Sequence, residues 1–222
     1  SFPYTPRISL RPDERAQRWL LSISTSDRAG LLYAIARVVA RQQINMQLNL
    51  KALIQGFYNS STGKMKKDTA RLYLRYNLSP YNIADSSKAV LDSNGNGSFV
   101  FNRIGNSAPY YIIVKHRNTI ETWSYGSIYF DNNNMNFDFT LNANYAFGSN
   151  QILKGSKYCM YNGDANQDGI IDASDVSETD NNAFNSASGY IRSDNTGDNF
   201  VDAEDLSIVD NNANYSVGVV RP

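Results

Sequence analysis

One cysteine and one histidine stand in 222 residues, Cys159 and His116. A single cysteine excludes an intrachain disulfide. Together the two are too few for a zinc site built from Cys and His. A Ser-His-Asp triad would have to use His116, which lies between Lys115 and Arg117 in a strand-rich run, and no Gly-x-Ser-x-Gly elbow is present. No phosphate loop or GxGxxG occurs. We therefore expect His116 on a strand surface, Cys159 as a small, partly buried thiol, and no catalytic set. The longest apolar run, Leu31 to Val39, is too short and interrupted for a membrane span. An overall charge excess is missing too, with 21 Lys and Arg against 21 Asp and Glu. That balance hides a split. Residues 1–160 hold 19 basic and 9 acidic side chains, and residues 161–222 hold 2 and 12. The positive charge is spread thinly, which argues against a nucleic-acid surface, whereas the acidic tail repels itself unless cations neutralise it.

The front has the pattern of alternating elements. Residues 1–17, with three prolines, read as an irregular lead-in. Arg18 to Ser24 is strand-like. Ser26-Asp27 is a helix start, and Leu31, Leu32, Ile35, Val38 and Val39 recur at helical spacing up to Gln43. Ile44, Met46, Leu48, Leu50, Ala52 and Ile54 then alternate as a strand. The run Arg18-Trp-Leu-Leu-Ser-Ile-Ser-Thr-Ser-Asp-Arg-Ala-Gly-Leu-Leu-Tyr-Ala-Ile-Ala-Arg-Val-Val-Ala, on to Ile44-Asn-Met46, resembles the start of an ACT domain. It is most similar to the last ACT domain of bacterial PII uridylyltransferases. That likeness implies a βαβ half of a βαββαβ fold, with the turn Asp27 to Leu31 helping to bind small ligands such as amino acids. Read as residues alone, Asp27 caps a helix and Gly30 eases the turn.

The middle is β throughout. Thr69–Tyr76, Ile83–Leu91, Ser98–Ile104, Pro109–His116, Thr119–Ser124, Ile128–Phe130 and Phe137–Leu141 are short strands separated by Asn, Gly and Ser turns, the pattern of an antiparallel β-sandwich. With Tyr110-Tyr-Ile-Ile-Val-Lys-His-Arg-Asn-Thr-Ile-Glu-Thr-Trp-Ser124 as its most distinctive stretch, this region resembles the prealbumin-like or CNA-B-like modules of secreted bacterial proteins. The likeness implies a spacer or adhesive unit. Tyr110, Tyr111 and Tyr125 are candidates for a sugar platform, although strands favour tyrosine for packing alone.

The tail repeats itself at an offset of 30 residues. Asp164, Asn166, Asp168, Ile170 through its carbonyl, Asp172 and Asp175 stand at positions 1, 3, 5, 7, 9 and 12 of one loop. Asp194, Thr196, Asp198, Phe200 through its carbonyl, Asp202 and Asp205 do so in the other. That spacing supplies the oxygens a hard cation such as Ca²⁺ needs. Gly169 permits the sharp turn at position 6, where the second copy has Asn199. Thr196 offers a hydroxyl where an amide or carboxylate binds better, so the second site should be weaker. A helix is expected after each loop, over 172–185 and 202–215. Paired loop-helix units with Asp at position 12 resemble dockerins, which implies two bound Ca²⁺ ions and a cohesin-like or other extracellular protein partner. Ala173-Ser174 and Ala203-Glu204 depart from the usual partner-reading residues.

The sequence thus predicts a mainly β chain with α+β parts: a partial ACT-like βαβ at 1–47, an antiparallel β-sandwich at 48–160, and a dockerin-like calcium module at 161–222. The expected role is a non-catalytic docking or anchoring module at an extracellular or cell-surface location, with polysaccharide as a second partner class. The alternatives are a regulatory ACT segment of a uridylyltransferase and a carbohydrate-binding module. The chain opens on Ser1, so we expect a piece of a longer protein, with residues 1 to about 47 drawn from a different gene through an engineered or assembly fusion.

Overall fold

The computed structural model describes residues 7–13, 18–24 and 45–222. The chain divides into two compact units, 1–44 and 45–222. The sheet region and the acidic tail both lie within the second.

In the first unit, β1 (Arg7–Asp13) pairs antiparallel with β2 (Arg18–Ser24) from Arg7↔Ser24 to Asp13↔Arg18. β2 falls where the sequence placed it. β1 corrects the irregular lead-in: Ile8 and Leu10 alternate with polar residues, and Pro12 is tolerated because a two-stranded ribbon consists of edges. The expected helix and the Asp27–Leu31 turn lie outside the described residues.

The second unit is mostly β. Its strands are β3 (Met46–Lys51), β4 (Tyr58–Asn59), β5 (Lys64–Met65), β6 (Asp68–Tyr76), β7 (Ile83–Leu91), β8 (Asn96–Phe101), β9 (Tyr110–Lys115), β10 (Thr122–Trp123), β11 (Asn134–Asp138), β12 (Ile152–Lys154) and β13 (Lys157–Cys159). One sheet has the order β10-β9-β6-β7 and the other β11-β3-β8. The first is antiparallel throughout. In the second, β11 runs parallel to β3, which corrects the wholly antiparallel expectation. β3 pairs with β8 and β11 and so belongs to this unit.

Alternation explains the core. Met46, Leu48 and Leu50 of β3, Ala70, Leu72 and Leu74 of β6, and Phe99 and Phe101 of β8 project into one buried cluster shared by both sheets. Each large apolar side chain buried there contributes roughly 1.5–3 kcal/mol. β9 breaks the alternation, with Ile112, Ile113 and Val114 all buried, because both of its faces are covered. Its turns follow side-chain chemistry. Asp92 Oδ1 accepts from the Asn94 and Asn96 amides at 2.8 and 2.9 Å, so the carboxylate folds the link between β7 and β8.

After β13 the chain leaves the sheets for two helices, α1 (Ala173–Phe184) and α2 (Ala203–Ala213). Ile171 and Val209 are fully buried against Ile120, which comes from the segment between β9 and β10. The tail therefore packs on the sheet region through a small apolar core of its own. Among the described residues, no helix is long and apolar enough to cross a membrane.

Candidate metal centre

The two acidic loops have the same local construction. Asp172 and Asp202 are N-caps of α1 and α2, accepting from the Ser174 and Glu204 amides at 2.8 Å each. Asp175 and Asp205, at position 12, complete capping boxes by accepting from the Asp172 and Asp202 amides at 3.0 Å each. Their other oxygens reach across the loop to position 3. Asp175 Oδ1 accepts from the Asn166 amide at 3.1 Å, and Asp205 Oδ1 from the Thr196 amide at 2.8 Å. Asp168 and Asp198 each accept from the amide two residues on, at Ile170 and Phe200. At position 6, Gly169 has φ +94° and Asn199 has φ +72°. The Asn in the second copy thus occupies the same left-handed turn as the Gly, a conformation Asn tolerates better than most residues.

Each loop is also closed by a segment outside it. The Ile171 amide donates to Val217 O at 2.7 Å, and the Val201 amide to Ala187 O at 3.0 Å. Ile170 forms a bridge with Gly218, and Phe200 with Ser188. Each loop is paired with the segment that follows the other loop's helix, a crosswise arrangement that carries the 30-residue repeat into three dimensions.

Burial differs between the sites' members. Asp164 and Asp194 are 1% and 0% exposed, whereas Asn166, Asp168, Asp172, Asp198 and Asp202 face solvent at least in part. Ile170 and Phe200 project exposed side chains, consistent with a role limited to the backbone carbonyl. Asp164 Oδ1 meets no hydrogen-bond donor among the described residues, nor does Thr196 Oγ1. A buried carboxylate oxygen without a partner is costly. Burial pushes the Asp164 carboxyl up to about 6, against the Gly169 amide that favours its charged form, and Asp175 and Asp168 add repulsion. Burial likewise raises Asp175 and Asp205. Among the described residues, no three His, Cys, Asp or Glu side chains already converge as a ligand group. The donor set is wider than those types, since Asn166, Thr196 and two carbonyls belong to it, and its oxygens are partly engaged by loop amides. A buried, partnerless Asp164 oxygen inside a loop of acceptors fits a hard cation. Asp164, Asn166, Asp168, the Ile170 carbonyl, Asp172 and Asp175 would hold one ion, and Asp194, Thr196, Asp198, the Phe200 carbonyl, Asp202 and Asp205 a second.

A polar cluster joins this region to the sheets. Arg117, just past β9, donates Nε to Asp68 Oδ2 at 3.0 Å and a terminal nitrogen to Asp194 Oδ2 at 3.1 Å, and it also bonds Ile191 O. Its guanidinium lies 5.3 Å from the Phe57 ring centre and 4.5 Å from that of Tyr190. Tyr190 donates its hydroxyl to Asp68 Oδ1 at 2.7 Å. His116 Nε2 stands 3.0 Å from Asp68 Oδ2, off the axis of a good hydrogen bond, and its Nδ1 is 2.9 Å from Asn118 Oδ1. His116 is therefore buried, not on a strand surface as the sequence suggested. Its ring packs edge-on against Phe57 at 5.1 Å between centres. Cys159 is wholly buried instead of partly, and burial pushes its thiol up to about 12. Sequence reading missed Arg117, Asp68 and Tyr190 because their contacts span 49 to 122 residues. The one local hint was a polar run, His116-Arg117-Asn118, ending an apolar strand.

Comparison with known proteins finds no matching family model and no matching solved structure. Among curated proteins, the chain is 63% identical over 46 residues to a bifunctional uridylyltransferase/uridylyl-removing enzyme of Ralstonia nicotianae. It is 61% identical over 46 residues to the enzyme of the same name from Cupriavidus metallidurans. Each match covers 21% of this chain and 5% of the relative, so the chain spans a small part of these enzymes. The matches fit the resemblance seen at the front of the sequence. They overturn the expectation of an extracellular docking module, because what these relatives share with the chain is a uridylyltransferase segment. The expected extracellular or cell-surface location, which rested on the tail alone, is corrected with it: what this chain shares is a segment of a uridylyltransferase/uridylyl-removing enzyme.

Proposed function

We propose that the chain joins two activities of binding: a regulatory, ACT-type segment at its front, and a mainly β unit that takes two divalent cations, Ca²⁺ by its ligand set. The front reading is supported by the 46-residue likeness to uridylyltransferase/uridylyl-removing enzymes. Its role is to sense a small ligand of the amino-acid kind through the Asp27–Leu31 turn. Glutamine titration of the whole chain by calorimetry tests it. A saturable heat is expected, and a flat titration refutes it.

The cation reading is carried by the buried, partnerless Asp164 Oδ1 within a complete loop of oxygen donors. The repeated loop-helix construction, with a capping box and a left-handed turn in each copy, supports a second ion at Asp194–Asp205. Bound Ca²⁺ supplies the positive charge that the clustered carboxylates need, and the chain's part is to hold the oxygens in place. The capping boxes fix Asp175 and Asp205, and the left-handed turns at Gly169 and Asn199 bend both loops. Calcium calorimetry on the whole chain should count two sites of unequal affinity, and Asp164→Asn should remove the tighter. A titration without heat, unchanged by the substitution, ends this reading.

A further inference from the structure

We propose that Arg117 is a built-in cation for the second acidic loop. Its guanidinium meets the Asp194 carboxylate from the sheet side, so this loop holds its shape without a metal ion, whereas the first depends on one. The inference rests on the cation reading of the loops.

The two copies share their capping boxes and the left-handed turn at position 6, which makes the contrast at position 1 informative. In the first loop, Asp164 Oδ1 is buried and meets no donor among the described residues. In the second, Asp194 is fully partnered. Its Oδ1 accepts from the Gly197 and Asp198 amides at 2.7 and 3.0 Å. Its Oδ2 accepts from the Asn199 amide at 3.2 Å and from Arg117 at 3.1 Å. The ion pair is nearly dry, with side-chain exposure of 10% for Arg117 and 0% for Asp194. Charge-assisted bonds in such surroundings are the strong kind.

Arg117 is also aimed, not merely nearby. Asp68 holds its Nε, Ile191 O takes one end of the fork, and the Phe57 and Tyr190 rings lie against the guanidinium. A planar, stacked, multiply bonded cation is a task for arginine that lysine cannot copy. The next residue shows that the strand end could have served either loop. Asn118 O accepts from the Gly163 and Asp164 amides at 2.7 and 3.2 Å, and Asn118 Nδ2 donates to Asp194 O at 2.8 Å. Residues 117 and 118 thus stand between both loops, and the charge is turned to the second. A purely structural arginine, anchoring the sheet through Asp68, would not distinguish them.

Amide hydrogen exchange by NMR on the whole chain tests this, in chelator and in saturating Ca²⁺. In chelated wild type, the Gly197, Asp198 and Asn199 amides should exchange more slowly than the equivalent Gln167, Asp168 and Gly169 amides. In Arg117→Met their protection should fall by roughly ten- to a hundredfold, the scale of one charge-assisted bond, and Ca²⁺ should restore it. Equal protection of both loops in chelated wild type overturns the proposal, as does an unchanged second loop in the variant. If Ca²⁺ alters neither loop in either protein, the cation reading fails, while the difference between wild type and variant in chelator still decides the arginine's role. Should the methionine variant not fold, Arg117→Lys keeps the charge and stem without the fork. Reduced protection at Gly197–Asn199 then supports the assignment to the guanidinium, and wild-type protection overturns it.

Discussion

At the scale of single residues, Asp68 gathers His116, Arg117 and the Tyr190 hydroxyl around one carboxylate. Burial opposes its charge, yet His116, the Tyr190 hydroxyl and the Arg117 guanidinium outweigh that and hold the carboxyl well below the usual carboxylate range. The native carboxyl therefore binds its proton less tightly than the unfolded one. The stability it lends is complete above about pH 4 and drains away as pH falls further. Urea unfolding between pH 7 and pH 2 should show a steeper acid loss for wild type than for Asp68→Asn. At pH 7 the substitution should cost about 3–5 kcal/mol, the range for stripping one partner from a buried ion pair. Equal acid slopes would remove Asp68 from the account. Cys159 offers a second check. With its thiol buried and raised to about 12, native protein should resist alkylation at pH 8 and label fully in denaturant, as read by mass spectrometry. These were the residues least legible in the sequence. The burial of His116 and Cys159 depends on Phe57 and on strands far along the chain, which no local pattern encodes.

At the scale of elements, the sequence spoke more clearly. β2 and β7 begin and end where hydrophobic pattern and turn residues place them, and both helices begin at the Asp that caps them. Period-two burial and N-caps are local physics, so they can be read locally. β1 was missed because three prolines outweighed a short alternation, and the parallel pairing of β11 with β3 was hidden because register between distant strands leaves no local mark. The loops themselves make a test of element-level chemistry. At φ +94°, Gly169 adopts a conformation that costs a residue with a Cβ about 1–2 kcal/mol, and an added Cβ would lie 3.2 Å from Val219 Cγ2. Gly169→Ala should lower thermal stability in Ca²⁺ and weaken the first site. Asn199→Gly, at the equivalent turn, should leave stability equal or slightly higher. A neutral Gly169→Ala would show that the loop relaxes into another turn.

At the scale of the whole molecule, the second unit is knitted across its length. Asn162 Nδ2 donates to Asn195 O at 2.7 Å, and Asn212 Nδ2 to Gln55 Oε1 at 2.7 Å. An added Cβ on Gly197 would stand 2.7 Å from the Phe57 ring. Sheet and tail should therefore unfold together. In a Trp19→Phe background, Trp123 fluorescence and far-ultraviolet dichroism should give one coincident urea transition, which chelation moves as a whole. Two separated transitions would mark the tail as independent. The crosswise closure of the loops carries this connection to the last residues of the chain. Val217, Gly218 and Val219 are the latch of the first loop, since the Ile171 amide donates to Val217 O and the Val219 amide to Gly169 O at 2.9 Å. The second loop is latched from 187–189 instead. Deleting residues 217–222 should thus open the first loop, remote in sequence, and spare the second one, so that a cut more than forty residues away would act on the first site as a point mutation at Asp164 does.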